Sequence, residues 1–287
     1  MTADTAVLAG IVVPAHDEQA VLGQLLTRLT EGAGPGELEI VVVANGCTDS
    51  TAAVARSFEP AVRVVETPVP SKRAALRLGD EALSVFPRLY VDADVVLGSE
   101  DVRRLCAALT GPGVLAAAPA RRFDMTGRSW PVRWYYDVWT RLPEVRDGLF
   151  GRGVLALGEA GHRRIAALPP VMADDLAMSL AFQPGERAVV SGATVLIRPP
   201  RSWRDLLRRR VRAQVGTVQI EQDQVQPYAS ARTSVRDLVG LARREPAMAV
   251  RIPLFLAVAL LARTAARRAV RAGDFTTWLR DESSRQA

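Results

Sequence analysis

Arg88-Leu89-Tyr90-Val91-Asp92-Ala93-Asp94 is an apolar run that ends in two carboxylates one residue apart. A short apolar run of this kind reads as a buried strand, and its last residues meet solvent at the carboxyl end. Ligands of open α/β sheets bind in the crevice outside those carboxyl ends. Mg²⁺ and Mn²⁺ are usually held by one or two carboxylates together with substrate phosphates. The triplet therefore marks a candidate metal site at a sheet edge. Two acids this close are also common in loops, so the surrounding sequence has to decide.

Upstream, strand and helix alternate. Gly10–Pro14 is a short β-branched run followed by His16-Asp17-Glu18, after which Val21, Leu22, Leu25, Leu26 and Leu29 recur at helical spacing. Glu39–Ala44 reads as a second buried strand ended by Asn45-Gly46. Thr48 or Asp49 is placed to cap a helix over 50–58. Val62–Glu66 reads as a third strand, and Ser71 opens a helix through Leu83. Alternation at this spacing predicts a mostly parallel sheet with right-handed crossovers, flanked by helices in the Rossmann-like manner. The glycine-rich dinucleotide fingerprint is missing after the first strand, where Pro14-Ala15-His16-Asp17-Glu18 stands instead, which argues against an NAD-binding domain.

Downstream the alternation loosens. Val114–Pro119, Gly153–Gly158 and Val189–Ile197 read as strands, and the segment 121–141 between the first two carries Trp130, Trp134, Tyr135, Tyr136 and Trp139. Those aromatics read as core or lid packing. Asp174-Asp175 open a helix after Pro169-Pro170, 203–220 is a basic helix, and 222–234 reads as a loop. The rest is helical around the apolar run Ile252–Ala262. The expected organisation is an α/β unit over 1–220 and a helical extension over 221–287.

Composition narrows the classes. With 287 residues, 48% hydrophobic and 24% charged, the chain can bury a sizeable core. A net charge of +6 would suit a nucleic-acid partner, but Lys72 is the single lysine among 37 basic residues. That bias, with abundant Ala, Gly, Val and Leu, reflects coding composition rather than a binding face, so no nucleic acid is expected. Cys47 and Cys106 fit no disulfide framework or zinc spacing. The start shows no basic segment leading into an apolar core, and a cytoplasmic location is expected.

In their order, these motifs resemble family 2 glycosyltransferases of the GT-A fold, over roughly residues 9–216. The stretch 11–18 resembles the family's first strand and its Pro-x-x-(Asp/Asn)-Glu turn. Val42–Asp49 resembles its second strand, Lys72–Leu76 its Lys-Gly-x-Ala-Leu segment, and Val91–Asp94 its metal motif. Asp174-Asp175-Leu176 is similar to the segment that bears the general base, and Arg209–Gly216 to the Gln-x-x-Arg-Trp element.

The resemblance implies a transferase that uses a UDP- or GDP-sugar with Mn²⁺ or Mg²⁺. Asp94 would ligate the metal, with Asp92 a further ligand or a partner of the ribose. Pro14, Ala15, Asp17 and Glu18 would cradle base and ribose, and Asn45, where many members have Asp, would meet the edge of the base. Lys72 would lie near the donor, while Arg209 and Arg212 would reach the diphosphate. Asp175 would take the acceptor proton with Asp174 orienting it, although the reverse assignment stays open. Acceptors implied are a glycan, often of the cell envelope, a lipid-linked molecule or a small molecule. Retaining enzymes share the metal triplet, so inversion comes from the family alone.

Each of these residues also has a plain structural reading. Acids in a first helical turn favour the dipole, a lysine at a helix start is usually solvated, and the run 208–212 suits a solvated face. His16 reads as a turn residue and His162 as a surface helix residue. The run 252–262 is too short to span a bilayer, which needs about 20 apolar residues. Arg243, Arg244, Arg263, Arg267, Arg268 and Arg271 flank it, which suits a helix lying at the inner face of a membrane or packed on the α/β unit. Two other functions compete: a sugar-phosphate nucleotidyltransferase, which needs a glycine-rich basic loop where Pro14–Glu18 stands, and a non-catalytic nucleotide-sugar binder on the same scaffold.

Overall fold

The computed structural model describes residues 7–168, 174–222 and 233–271; the side chains of Asp174, 216–222 and Arg271 lie outside that description. The strands are β1 (Ala9–Ala15), β2 (Leu38–Asn45), β3 (Val62–Thr67), β4 (Arg88–Val91), β5 (Ala116–Phe123), β6 (Val154–Leu157) and β7 (Arg187–Ile197). They form one sheet in the order β3-β2-β1-β4-β6-β5-β7. All neighbours run parallel except β6, which is antiparallel to both β4 and β5. The mostly parallel α/β sheet expected from the alternation is therefore present, with one reversed strand that the alternation does not announce.

Helices cover both faces: α1 (Leu22–Thr30), α2 (Thr51–Arg56), α3 (Lys72–Ala82), α4 (Ser99–Ala108), α5 (Trp130–Trp139), α6 (Pro143–Asp147), α7 (Glu159–Ala166), α8 (Asp174–Leu180), α9 (Trp203–Gln222), α10 (Val235–Arg244) and α11 (Ile252–Arg271). The helical spacing after β1 has its physical counterpart in α1, where Leu22, Leu25, Leu26 and Leu29 are all fully buried against β1 and β2. Asp49 caps α2 by accepting from the Thr51 N–H at 2.9 Å, and the Ser71 hydroxyl caps α3 by accepting from the Ala74 N–H. Helix α4 follows the acidic triplet and buries Val102, Leu105 and Cys106.

A second core cluster explains the aromatics. Tyr135, Tyr136 and Trp139 are buried with Leu206 of α9, Leu238 and Leu241 of α10, and Phe255 and Val258 of α11. Tyr135 stacks on Phe255 with centroids 5.2 Å apart, and Arg251 pairs with Asp137 at 2.7 Å. Trp130 alone of this group is largely exposed. The boundary expected at 220/221 falls in the last turn of α9, and the helices after it share this core with α5. The loop expected over 222–234 lies outside the described residues between 223 and 232, as do Pro169 and Pro170.

Helix α11 has two faces. Phe255, Val258, Ala262 and Ala266 are buried, while Leu256, Leu260 and Leu261 are exposed. No helix among the described residues is long and apolar enough to cross a membrane. His162 corrects an expectation. It is not a surface residue: its ring meets Phe86 edge-on at 5.3 Å, and its Nε2 lies 3.2 Å from an Asp80 carboxylate oxygen. Asp80 also accepts from the Tyr90 hydroxyl at 2.7 Å and from Arg88 at 3.1 Å, so the four residues tie α3, β4 and α7 together.

Candidate active site

The two acids of the triplet lie in the turn that follows β4, where buried and part-exposed residues alternate. Val91, Ala93 and Val95 are buried, whereas Asp92 and Asp94 between them retain exposure at the carboxyl edge of β4. The Asp92 N–H donates to the Gly153 carbonyl at 2.7 Å, which fastens the triplet to the loop leading into β6. Gly153 has φ +66, and a Cβ there would stand 3.3 Å from Asp92 Oδ2 and 2.5 Å from Val95, so no other residue fits beside this carboxylate without displacement.

The same loop reaches the second acidic segment. The Gly151 N–H donates to Asp175 Oδ2 at 3.0 Å, while Asp175 Oδ1 accepts from the Leu176 N–H at 2.9 Å. Asp175 is thereby oriented at the exposed start of α8. The side chain of Asp174 lies outside the described residues, so only its backbone place at that helix start is on view. Two residues that sequence reasoning missed hold this loop. Arg152, 2% exposed, donates to the carbonyls of Gly148, Pro119 and Arg146 at 2.7–3.0 Å. Arg121 donates to the Val145 carbonyl and lies over the Trp139 ring at 4.9 Å. The glycines either side of Arg152 were the available signal, since Gly-Arg-Gly between strand runs marks a loop of unusual backbone.

Lys72 opens α3 and its Nζ stands 2.5 Å from Asp92 Oδ1, with both side chains about a third exposed. The single lysine therefore faces the triplet, as its position in the sequence suggested. Arg212, from α9, lies within electrostatic reach of the same acids. Burial pushes its guanidinium below the usual range and Arg209 adds to this, while the charges of Asp175, Asp92 and Asp94 oppose it. All three carboxylates thus act on one arginine. Burial also pulls Arg121 down to about 10, against the pull of Tyr136 and Asp175, and Arg152 down to about 9. The edge combines three acids with Lys72 and the partly desolvated Arg212, while Arg121 and Arg152 give their donors to backbone carbonyls; the first group suits a polyanionic ligand carrying a metal ion.

Next to the triplet along the same edge is the turn after β1, the strand that pairs parallel with β4. Of the residues expected to cradle base and ribose, Pro14 and Asp17 keep some exposure, but Ala15 is fully buried and Glu18 is 7% exposed. Asn45 departs from expectation. It is 3% exposed, and its Nδ2 donates to the Ala15 carbonyl at 2.7 Å, so its amide ties the end of β2 to the end of β1 instead of facing the cleft. His16 has the expected turn role, donating from Nδ1 to the Asn45 carbonyl at 2.6 Å. Asp17, at φ +50, accepts from the Thr48 N–H at 2.7 Å.

Asp92 and Asp94 fit a hard divalent cation. Among the described residues they belong to no group of three or more His, Cys, Asp or Glu ligands. Such a pair matches a metal that completes its shell with phosphate oxygens and water.

A profile of glycosyl transferase family 2 matches residues 10–156, and the chain belongs to this family. Among curated proteins it is similar to a validoxylamine A glucosyltransferase of Streptomyces hygroscopicus subsp. limoneus, 32% identical over 119 residues, which are 40% of this chain and 25% of that one. The chain thus spans about a quarter of that relative's length. The fold is similar to a mannosyltransferase from Pyrobaculum calidifontis solved with GDP-Man and Mn²⁺, at a TM-score of 0.60 and 20% identity, covering 92% of this chain and 75% of that one. It is also similar to glucosyl-3-phosphoglycerate synthase from Mycobacterium tuberculosis solved with Mn²⁺ and UDP-glucose, at a TM-score of 0.53 and 18% identity, covering 76% and 79%.

Replacing Lys72 separates charge from shape. Lys72→Ala is expected to weaken nucleotide-sugar binding about 10-fold or more at unchanged thermal stability, because the pair with Asp92 is exposed and worth roughly 1 kcal/mol or less to folding. Lys72→Arg is expected to restore binding only in part, since a planar fork does not replace a compact ammonium. Binding titration beside thermal unfolding checks both.

Proposed function

We propose that this protein transfers a glycosyl group from a UDP- or GDP-sugar to an acceptor hydroxyl with inversion at the anomeric carbon. The observation that carries the reading is the 148–153 loop, which bonds Asp92 through the Gly153 carbonyl and Asp175 through the Gly151 N–H and so brings the acidic triplet and the second acid to one edge. Family membership supplies the reaction class, and the geometry supports the roles.

In this reading the turn Pro14–Glu18 receives base and ribose, with Asn45 bracing it from beneath. Asp94, and Asp92 beside it, would hold Mn²⁺ or Mg²⁺, which when bound offsets the charge of the diphosphate. Lys72 keeps Asp92 oriented and adds a positive charge to the same edge. Arg212, with Arg209, meets the phosphate oxygens, where a guanidinium held out of water gains most from an anion. Asp175 takes the acceptor's hydroxyl proton as the acceptor oxygen bonds to the anomeric carbon. The bond from that carbon to the phosphate oxygen breaks, and the nucleoside diphosphate leaves. One carboxylate base and one leaving diphosphate account for every proton and electron pair of an inverting transfer. Asp174 is assigned the neighbouring, orienting role.

The acceptor is a glycan, a lipid-linked molecule or a small polar molecule. The curated relative's name specifies validoxylamine A, and a neighbouring structure is a glucosyl-3-phosphoglycerate synthase solved with phosphoglyceric acid, so small polar acceptors have precedent in this company. The exposed Leu256, Leu260 and Leu261 beside Arg263, Arg267 and Arg268 support peripheral contact of α11 with an anionic membrane.

Asp175→Asn tests the base. Transfer is expected to fall about 10²- to 10⁴-fold while donor affinity stays within a small factor, because general-base catalysis contributes that much to the rate alone. Loss of donor binding in step with rate would instead make Asp175 a binding residue. For the membrane contact, the full chain is expected to sediment with anionic vesicles and Leu256→Asp/Leu260→Asp to remain in the supernatant at low salt. Equal behaviour of the two would remove the membrane from the account.

A further inference from the structure

The turn that joins β1 to α1 meets the turn after β2, and three side chains unlike any others in the cleft come together there. One ligand atom from each of His16, Asp17 and Cys47 lies within 4.8 Å of the other two. They offer nitrogen, oxygen and sulfur, and all three keep partial exposure. Neither Asp92 nor Asp94 takes part in this group.

Two features pre-arrange the cluster. The Asn45 carbonyl can only accept, so the 2.6 Å contact makes His16 Nδ1 the protonated nitrogen and leaves the lone pair on Nε2. A histidine that donates its other N–H to a backbone carbonyl is the usual state of a metal-ligating imidazole, because that bond sets both the tautomer and the ring orientation. Asp17 is held in a left-handed backbone conformation, with Oδ1 taken by the Thr48 N–H and Oδ2 lying 4.0 Å from His16 Nε2. Cys47 is drawn to the same point by a 3.4 Å contact with the Ala15 carbonyl, the carbonyl that Asn45 also holds.

From this arrangement we propose that His16, Asp17 and Cys47 form a second cation site, selective for Zn²⁺, at the base-binding end of the cleft. The donor set decides the metal. Sulfur and imidazole disfavour Mg²⁺ and Mn²⁺, which prefer oxygen, and suit Zn²⁺, which takes Cys, His and Asp together. For ordinary Zn–S, Zn–N and Zn–O bonds, the ligand atoms of a tetrahedral site stand roughly 3.3–3.8 Å apart. The observed spread closes to that by small side-chain rotations, and water fills the fourth position. Coordination replaces the Cys47 S–H bond by S–Zn, and the proton passes to solvent. Because His16 and Asp17 belong to the turn assigned to the donor's base and ribose, and Cys47 lies against it, a bound Zn²⁺ and the donor exclude one another. That consequence rests on the proposed function; the binding of Zn²⁺ does not.

The test measures Zn²⁺ binding to the whole protein by competition with a chromogenic chelator, and Co²⁺ binding by absorption. The wild-type chain and Asp94→Asn are expected to bind one Zn²⁺ with equal affinity. Cys47→Ser and His16→Gln should each weaken it by at least about 10-fold, the lower end of what even an outer-shell partner is worth. Co²⁺ should give a near-ultraviolet thiolate charge-transfer band that Cys47→Ser abolishes while circular dichroism is unchanged. Unaltered affinity in Cys47→Ser with no such band overturns the proposal, and so does loss of Zn²⁺ in Asp94→Asn alone. If Zn²⁺ binds as described but does not weaken donor binding, the site stands and the donor assignment of the turn is what fails.

Discussion

The backbone hydrogen bond from Asp92 to the Gly153 carbonyl is the tie on which the rest of the cleft depends. It joins the end of β4 to the loop entering β6, and that loop carries the Gly151 N–H that orients Asp175. Two carboxylate groups some 80 residues apart in sequence are thereby set by one short piece of backbone. Positive φ at Gly151 and Gly153 permits that path, and the buried Arg152 guanidinium holds it by satisfying three carbonyls that would otherwise be orphaned. Any side chain at position 153 would press on Asp92 and Val95, so the glycine and the acid are one structural unit.

Charge at this edge is distributed against the grain of the chain's composition. The sequence is basic overall, yet the cleft gathers Asp92, Asp94 and Asp175, each of which bears on the half-buried Arg212. Lysine at position 72 answers Asp92 directly, where a compact cation fits. Arg212 is partly desolvated, which makes its charge costly until an anion arrives. Such a site is balanced by a ligand that brings both negative phosphate and a divalent cation.

Much of this was legible because buried parallel strands write themselves as uninterrupted apolar runs. Val91 followed by Asp92 and Asp94, and Val43 followed by Asn45, mark the sheet edge in the sequence itself. What stayed hidden has physical reasons. Every residue of β6 is buried, so nothing in its four residues distinguishes parallel from antiparallel pairing. β2 is buried through Asn45, so side-chain alternation does not reveal that the amide turns inward to Ala15. His162 looked like a helix surface residue because its partners, Asp80 and Phe86, are remote in sequence. The C-terminal helices were ambiguous for a further reason: an apolar stripe reads the same whether protein or lipid covers it. Tyr135 and Phe255 show that one face of α11 is covered by protein.

The central claim is that the Asp92-Ala93-Asp94 edge holds a divalent cation and the donor's diphosphate as one ligand. Titration of UDP and of GDP into the protein, with and without Mn²⁺, tests it most directly. The account predicts saturable binding of one of the two nucleotides only when Mn²⁺ is present, and its loss in Asp94→Asn. Binding of equal strength without metal, or unchanged in Asp94→Asn, would contradict it.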